Sequence, residues 1–141
     1  MCIRDSTSID QNNLPKIKFS AETIQQDSSI QVRLDDDAIL NNSDWVMNSD
    51  NKIEIINGEF IFKNIELSNG TEDIKVNSFI DKKELDINFN NFNISQFFYL
   101  ATDKESNLTG SINGNVKVEN IYEEESSVSY THLTLPTILL V

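Results

Sequence analysis

Carboxylates dominate the charged side chains of this chain, 23 Asp and Glu against 11 Lys and Arg, for a net charge of −12. Three stand together at Asp35, Asp36 and Asp37, where clustered oxygens could hold calcium or magnesium. Consecutive residues of an extended chain point in opposite directions, however, and neither EF-hand spacing nor a ligand-bearing glycine loop follows. The run reads as a solvated loop, as does Glu123–Glu125. So many acids must form some pairs, but general acid–base work needs one carboxyl in an apolar pocket, and nothing places one there. A Ser–His–Asp set lacks a credible imidazole, because the only His (His132) and the only Cys (Cys2) lie in the terminal flanks. Asn57-Gly58 and Asn69-Gly70 are isolated pairs, not a phosphate-binding loop. The expectation is a protein that is not an enzyme, with no metal and no cofactor.

Phe60, Phe62, Phe79, Phe89, Phe92, Phe97 and Phe98 could stack on single-stranded nucleic acid, but the basic groove such a platform needs is missing. The acidic balance repels nucleic acid and anionic membranes alike. Core packing is the better use for these rings, with Trp45 as an anchor at the mouth of a strand. No stretch approaches the roughly 20 apolar residues that cross a bilayer as a helix.

The flanks Met1–Ser6 and Val128–Val141 resemble translated sequencing-adapter read-through, which recurs on unrelated metagenomic fragments. The last fifteen residues carry no Asp, Glu, Lys or Arg, in contrast to the rest. The alternative for the tail is a native terminal strand, Tyr130–Leu135. With residues 1–6 and 127–141 set aside, the segment 7–126 holds 22 acidic and 10 basic residues and the whole net charge. About 120 residues suit one small domain, or one slice of a repetitive one. Without Cys2 there is no disulfide framework and no thiolate metal site.

The elements are strands. Apolar and polar residues alternate through Lys52–Ile56, Glu59–Ser68, Asp73–Ile80, Glu84–Asn90 and Leu108–Ile121, so each segment has one apolar and one polar face. Lys16–Ala21 and Ile30–Leu34 follow the same rule, with a polar turn at Gln25–Ser29 and a loop at Asn41–Asp44. Asn57-Gly58 predicts a tight hairpin, because both residues tolerate positive φ. Ser95–Thr102 does not alternate and predicts a short helix capped by Ser95. Short strands joined by short turns predict an all-β antiparallel meander.

The stretch from Ser43 to Ile121 resembles the translocation and assembly module TamB family, within the wider AsmA-like group and in its Bacteroidetes-like form. The resemblance rests on a Trp opening (Trp45) and an Asn/Asp turn. There follow Phe60, Phe62, Asn64, Ile65, Leu67, Asn69 and Gly70 in the order F-x-[IF]-x-N-[ILF]-x-L-x-N-G. Next come Leu85, Ile87, Phe89, Asn91, Phe92, Ile94 and Ser95, and then Leu108, Gly110, Ile112, Gly114 and Val116. Asn77-Ser78 departs from the pattern, which expects a glycine-containing turn there. The resemblance implies a slice of an elongated, curled β-sheet, a taco-like groove with an apolar inside and a polar outside. It implies a periplasmic, inner-membrane-anchored envelope protein that works with an outer-membrane assembly barrel in protein assembly and secretion. It also implies phospholipid acyl chains as groove partners, and no nucleic acid. The groove candidates are Ile53, Ile55, Phe60, Phe62, Ile74, Val76, Leu85, Ile87, Phe89, Ile112, Val116 and Val118. The alternative reading is a small structural or adhesive β-sandwich, in which two sheets cover each other.

Overall fold

In a computed structural model, which describes residues 2–9, 15–79, 83–96, 110–123 and 126–134, the alternating segments form twelve strands. They are β1 (Cys2–Ile9), β2 (Pro15–Gln26), β3 (Ser29–Leu34), β4 (Asp37–Leu40), β5 (Ser43–Met47), β6 (Lys52–Ile56), β7 (Glu59–Lys63), β8 (Ile65–Ser68), β9 (Asp73–Phe79), β10 (Glu84–Asn93), β11 (Ser111–Glu119) and β12 (Ser127–Thr134). All belong to one open antiparallel sheet, not to two sheets packed face to face.

Several strands are halves of longer lines. β3 and β4 both lie against β2, interrupted at Asp35 and Asp36. β5 and β6 run back along β4 and β3, and β7 and β8 return along β6 and β5. Followed this way, the chain makes nine consecutive lines, each bonded to the lines before and after it in sequence. Every connection is therefore local, and the expected meander forms.

The turns follow from asparagine and glycine. Asn57 (φ 52°) and Gly58 (φ 86°) join the paired Ile56 and Glu59, the two-residue turn whose twist suits a hairpin. A second such turn stands where the sequence predicts a longer loop. Asn41 (φ 53°) and Asn42 (φ 59°) alone join Leu40 to Ser43, so Ser43 and Asp44 already belong to β5. Likewise only Asp27 and Ser28 leave the strands within the predicted Gln25–Ser29 turn.

Two more asparagines take positive φ where the apolar alternation shifts. Asn64 (φ 52°) divides Glu59–Ser68, and around Asn91 (φ 48°) the β10–β11 register shifts between Phe89 and Phe92. Each left-handed residue inserts one position, as a bulge does. The apolar positions change parity there, from Phe60 and Phe62 to Ile65 and Leu67, and from Ile87 and Phe89 to Phe92. The bulges thus keep these particular apolar side chains on one face.

Ser95 and Gln96 begin a helical turn, while the remainder of the predicted helix, from Phe97, lies outside the described residues. The acceptor at its start is Asn93, whose Oδ1 takes the Ser95 N–H at 3.0 Å; Ser95 itself stands inside the turn. Asn77 and Ser78, where a turn would fit the family pattern, sit in unbroken pairing with Asp86 and Leu85. The flanks supply the outermost strands: β1 pairs β2, β12 pairs β11, and Ile9, Val128 and Tyr130 on them are well exposed.

Candidate ligand groove

Directly opposed residues of neighbouring strands share a face, so the register tells which side chains line up. One row runs Gln25, Ile30, Ile55, Phe60, and the next runs Thr23, Val32, Ile53, Phe62. Across the later strands the rows are Met47, Leu67, Ile74, Phe89; then Ile65, Val76, Ile87, Val116, Tyr130; then Ser78, Leu85, Val118, Val128. Ile112 stands opposite Phe92. All twelve groove candidates therefore fall on apolar rows of the sheet.

The face is concave. Trp45 on β5 and Phe92 on β10 are three strand steps apart, about 14 Å along a flat sheet at ~4.8 Å per step. Their ring centroids lie 6.0 Å apart, tilted at 53°. Only a sheet curled around its apolar side brings the two rings together. Ala38, Leu40, Trp45, Met47, Leu67 and Phe92 form the buried cluster, with Ile17, Phe19, Leu34, Ile65, Ile74 and Phe89 packed against it. β2, β3, β4, β5, β8, β9 and β10 meet in that cluster, while β6 and β7 contribute nothing to it, so one end of the concave face is filled.

The other end is not. Of the twelve candidates, Ile112 is buried, Phe60 is 45% exposed, and the other ten are half-buried. Ile30, at 39%, joins Ile55 and Phe60 in the outermost row. Phe60 and Phe62 stack there with centroids 6.5 Å apart. The arrangement is an apolar trough, packed at the Trp45 end and half-covered at the Phe60 end.

The convex side carries the ion pairs and amides, and with them Ile61, which stands opposite Glu54 and is 5% exposed, and the exposed Val46 and Phe79. Glu54 bridges Lys52 (2.6 Å) and Lys63 (2.7 Å), whose hydrogen bonds hold its carboxyl below the ordinary carboxylate range. Glu66 pairs with Lys75 at 2.8 Å and raises the Lys75 pKa. Asn115 donates to Asp86 and Asn88, and Asn90 donates to Asp73. Asn91 and Asn93 turn their backbone N–H groups onto the side chains of Asn113 and Glu72. Among the described residues no group of three His, Cys, Asp or Glu could hold a metal ion.

Three features escape a reading of the sequence. The first is Asn51, a buried amide whose Oδ1 accepts the Leu34 N–H at 2.7 Å and whose Nδ2 donates to the carbonyls of Leu34 (2.8 Å) and Asn48 (2.6 Å). It satisfies backbone groups at the point where the β3–β4 and β5–β6 lines break. The second is the seam between β7 and β9, where side chains replace the backbone ladder. Phe62 N–H donates to Ser78 Oγ (3.1 Å) and Asn64 N–H to Asn77 Oδ1 (2.8 Å). Asn77-Ser78 departs from the pattern that the sequence resembles, and that departure is the available signal. The third is Tyr122, whose hydroxyl accepts the Phe60 N–H and donates to the Phe60 carbonyl. A contact between residues so far apart in sequence leaves no local trace. No known family, characterised protein or solved structure matches this chain.

Proposed function

We propose that this chain is a non-catalytic segment of a TamB-like, AsmA-related envelope protein whose apolar trough carries phospholipid acyl chains. In this reading the whole protein is anchored in the inner membrane, spans the periplasm and reaches an outer-membrane assembly barrel. There it serves outer-membrane protein assembly and secretion, and lipid traffic between the membranes. The observation that carries the reading is the run of cross-strand apolar rows on a concave face, half-covered away from the Trp45 cluster. Each such side chain would yield roughly 1.5–3 kcal/mol if fully buried, so a half-covered strip of this length favours an apolar ligand. Acyl chains fit because they need no fixed polar contacts, and the trough offers hydrocarbon along several strands. The ion pairs and amides of the convex side keep the outside hydrated.

The test is site-specific photo-crosslinking in the envelope-embedded protein. A photoreactive residue at Phe62, Ile87 or Val116 captures phospholipid, and one at Lys63, Asp86 or Lys117 on the other face does not. Equal capture on both faces, or none on either, removes the proposal.

A further inference from the structure

We propose that Asn57 is a site of spontaneous isoaspartyl formation, selected by the structure over the two other Asn-Gly pairs of the chain, Asn69-Gly70 and Asn113-Gly114. The three share the same glycine neighbour, whose small size admits ring closure, so sequence alone does not rank them. Their surroundings do.

Asn57 and Gly58 are both exposed at the tip of the β6–β7 hairpin, whereas Asn69 is half-buried. Space is open around Gly58 and Gly70 alike, so the difference lies in the asparagine side chains. Among the described residues nothing bonds the Asn57 side chain. Asn69 is held instead: its Oδ1 accepts from Thr71 N–H (3.1 Å), Thr71 Oγ1 (3.0 Å) and Glu72 N–H (2.9 Å), and its Nδ2 donates to Glu72 Oε1 (3.3 Å). Asn113 lies within β11, where its Oδ1 accepts the Asn91 N–H at 2.7 Å and Gly114 pairs with Phe89.

The reaction requires the glycine nitrogen to reach the amide carbon. The deprotonated Gly58 backbone nitrogen attacks Asn57 Cγ, the Cγ–Nδ2 bond breaks, and ammonia leaves. Water then opens the cyclic imide at either carbonyl. One opening leaves an ordinary aspartate in place of Asn57, and the other leaves isoaspartate, with the chain routed through the side chain. Ring closure makes the residue leave its left-handed turn conformation. At Asn57 only the hairpin tip must open, whereas Asn69 and Asn113 must first break the bonds just described. The product matters to the trough, because isoaspartate adds a backbone carbon to a two-residue turn. The Ile55–Phe60 pair of the outermost row sits one residue inside that turn on each strand.

The whole chain, aged in mildly alkaline buffer, is digested and each Asn-Gly peptide is followed by mass spectrometry for the NH2-to-OH exchange. Isoaspartate is confirmed by enzymatic methylation. Asn57 converts about tenfold faster than either other site, a barrier difference of about 1.4 kcal/mol. In concentrated denaturant the three rates converge. Conversion of Asn69 or Asn113 as fast as Asn57 in the folded chain overturns the proposal. So does a preference for Asn57 that persists unchanged in denaturant, because the selection is then local sequence and not structure.

Discussion

Trp45 and Phe92 meet at 6.0 Å although two lines of the sheet, β8 and β9, run between their strands. That contact fixes the curl, and Trp45, 1% exposed, is the largest side chain so fully enclosed. Trp45→Ala is expected to destabilise by about 3–5 kcal/mol in urea denaturation, by lost burial and the cavity left behind. Val46→Ala, one residue along and 59% exposed, is expected to change stability by no more than about 0.5 kcal/mol. Similar costs at the two positions would mean that the strand is not curled with Trp45 inside.

Asn51 is expected to matter as much as many core residues. Asn51→Ala leaves the Leu34 N–H and C=O without their partner, and each buried unpaired group costs about 1–3 kcal/mol. Asn51→Asp retains the acceptor but turns a carboxylate toward the carbonyls of Leu34 and Asn48. Its stability loss should exceed that of Asn51→Ala at neutral pH and shrink on acidification. A loss that does not depend on pH would place the amide outside this junction.

Gly58→Val tests the first hairpin. Space around Gly58 is open, so the penalty is conformational: a β-branched residue strained at φ 86°. A loss of about 1 kcal/mol or more is expected from thermal denaturation. A neutral result would mean a looser connection between β6 and β7.

Glu54 predicts a pH dependence with a definite sign. Lys52 and Lys63 lower its pKa in the folded chain, so its contribution is present above the ordinary carboxylate range and is lost as pH falls through the folded value. The flanking ammonium groups are well exposed, which limits the effect to about 1 kcal/mol or less. Glu54→Gln should therefore lie slightly below the wild type at pH 7, with the gap closing on acidification. A gap that widens in acid would contradict the assignment.

Strand alternation and the Asn-Gly turn make the sheet and its apolar face legible, because a period of two leaves no choice of side once a strand is assumed. The parity changes at Asn64 and Asn91 are equally visible in the letters, but a parity change alone does not say which residue takes positive φ. The curl is not derivable from alternation, since Trp45 and Phe92 are distant in sequence and a flat strip carries the same pattern. In the letters Asn51 is one more turn asparagine. What marks it is burial between two broken lines, which exists only after the chain has folded.

In the function proposed above, the trough is packed at one end and open to an apolar ligand at the other. A matched pair of charges tests it, Leu67→Asp in the buried cluster and Val116→Asp on the half-covered strip. An unpaired carboxylate forced into a closed core unfolds it, whereas one on an open strip stays hydrated. The decisive measurement combines urea denaturation of both variants with phospholipid capture by a photoreactive residue at Phe62. Leu67→Asp is expected to unfold, while Val116→Asp is expected to stay folded and lose lipid capture. Unfolding of Val116→Asp alongside Leu67→Asp, or a folded Val116→Asp with capture unchanged, would contradict an open trough.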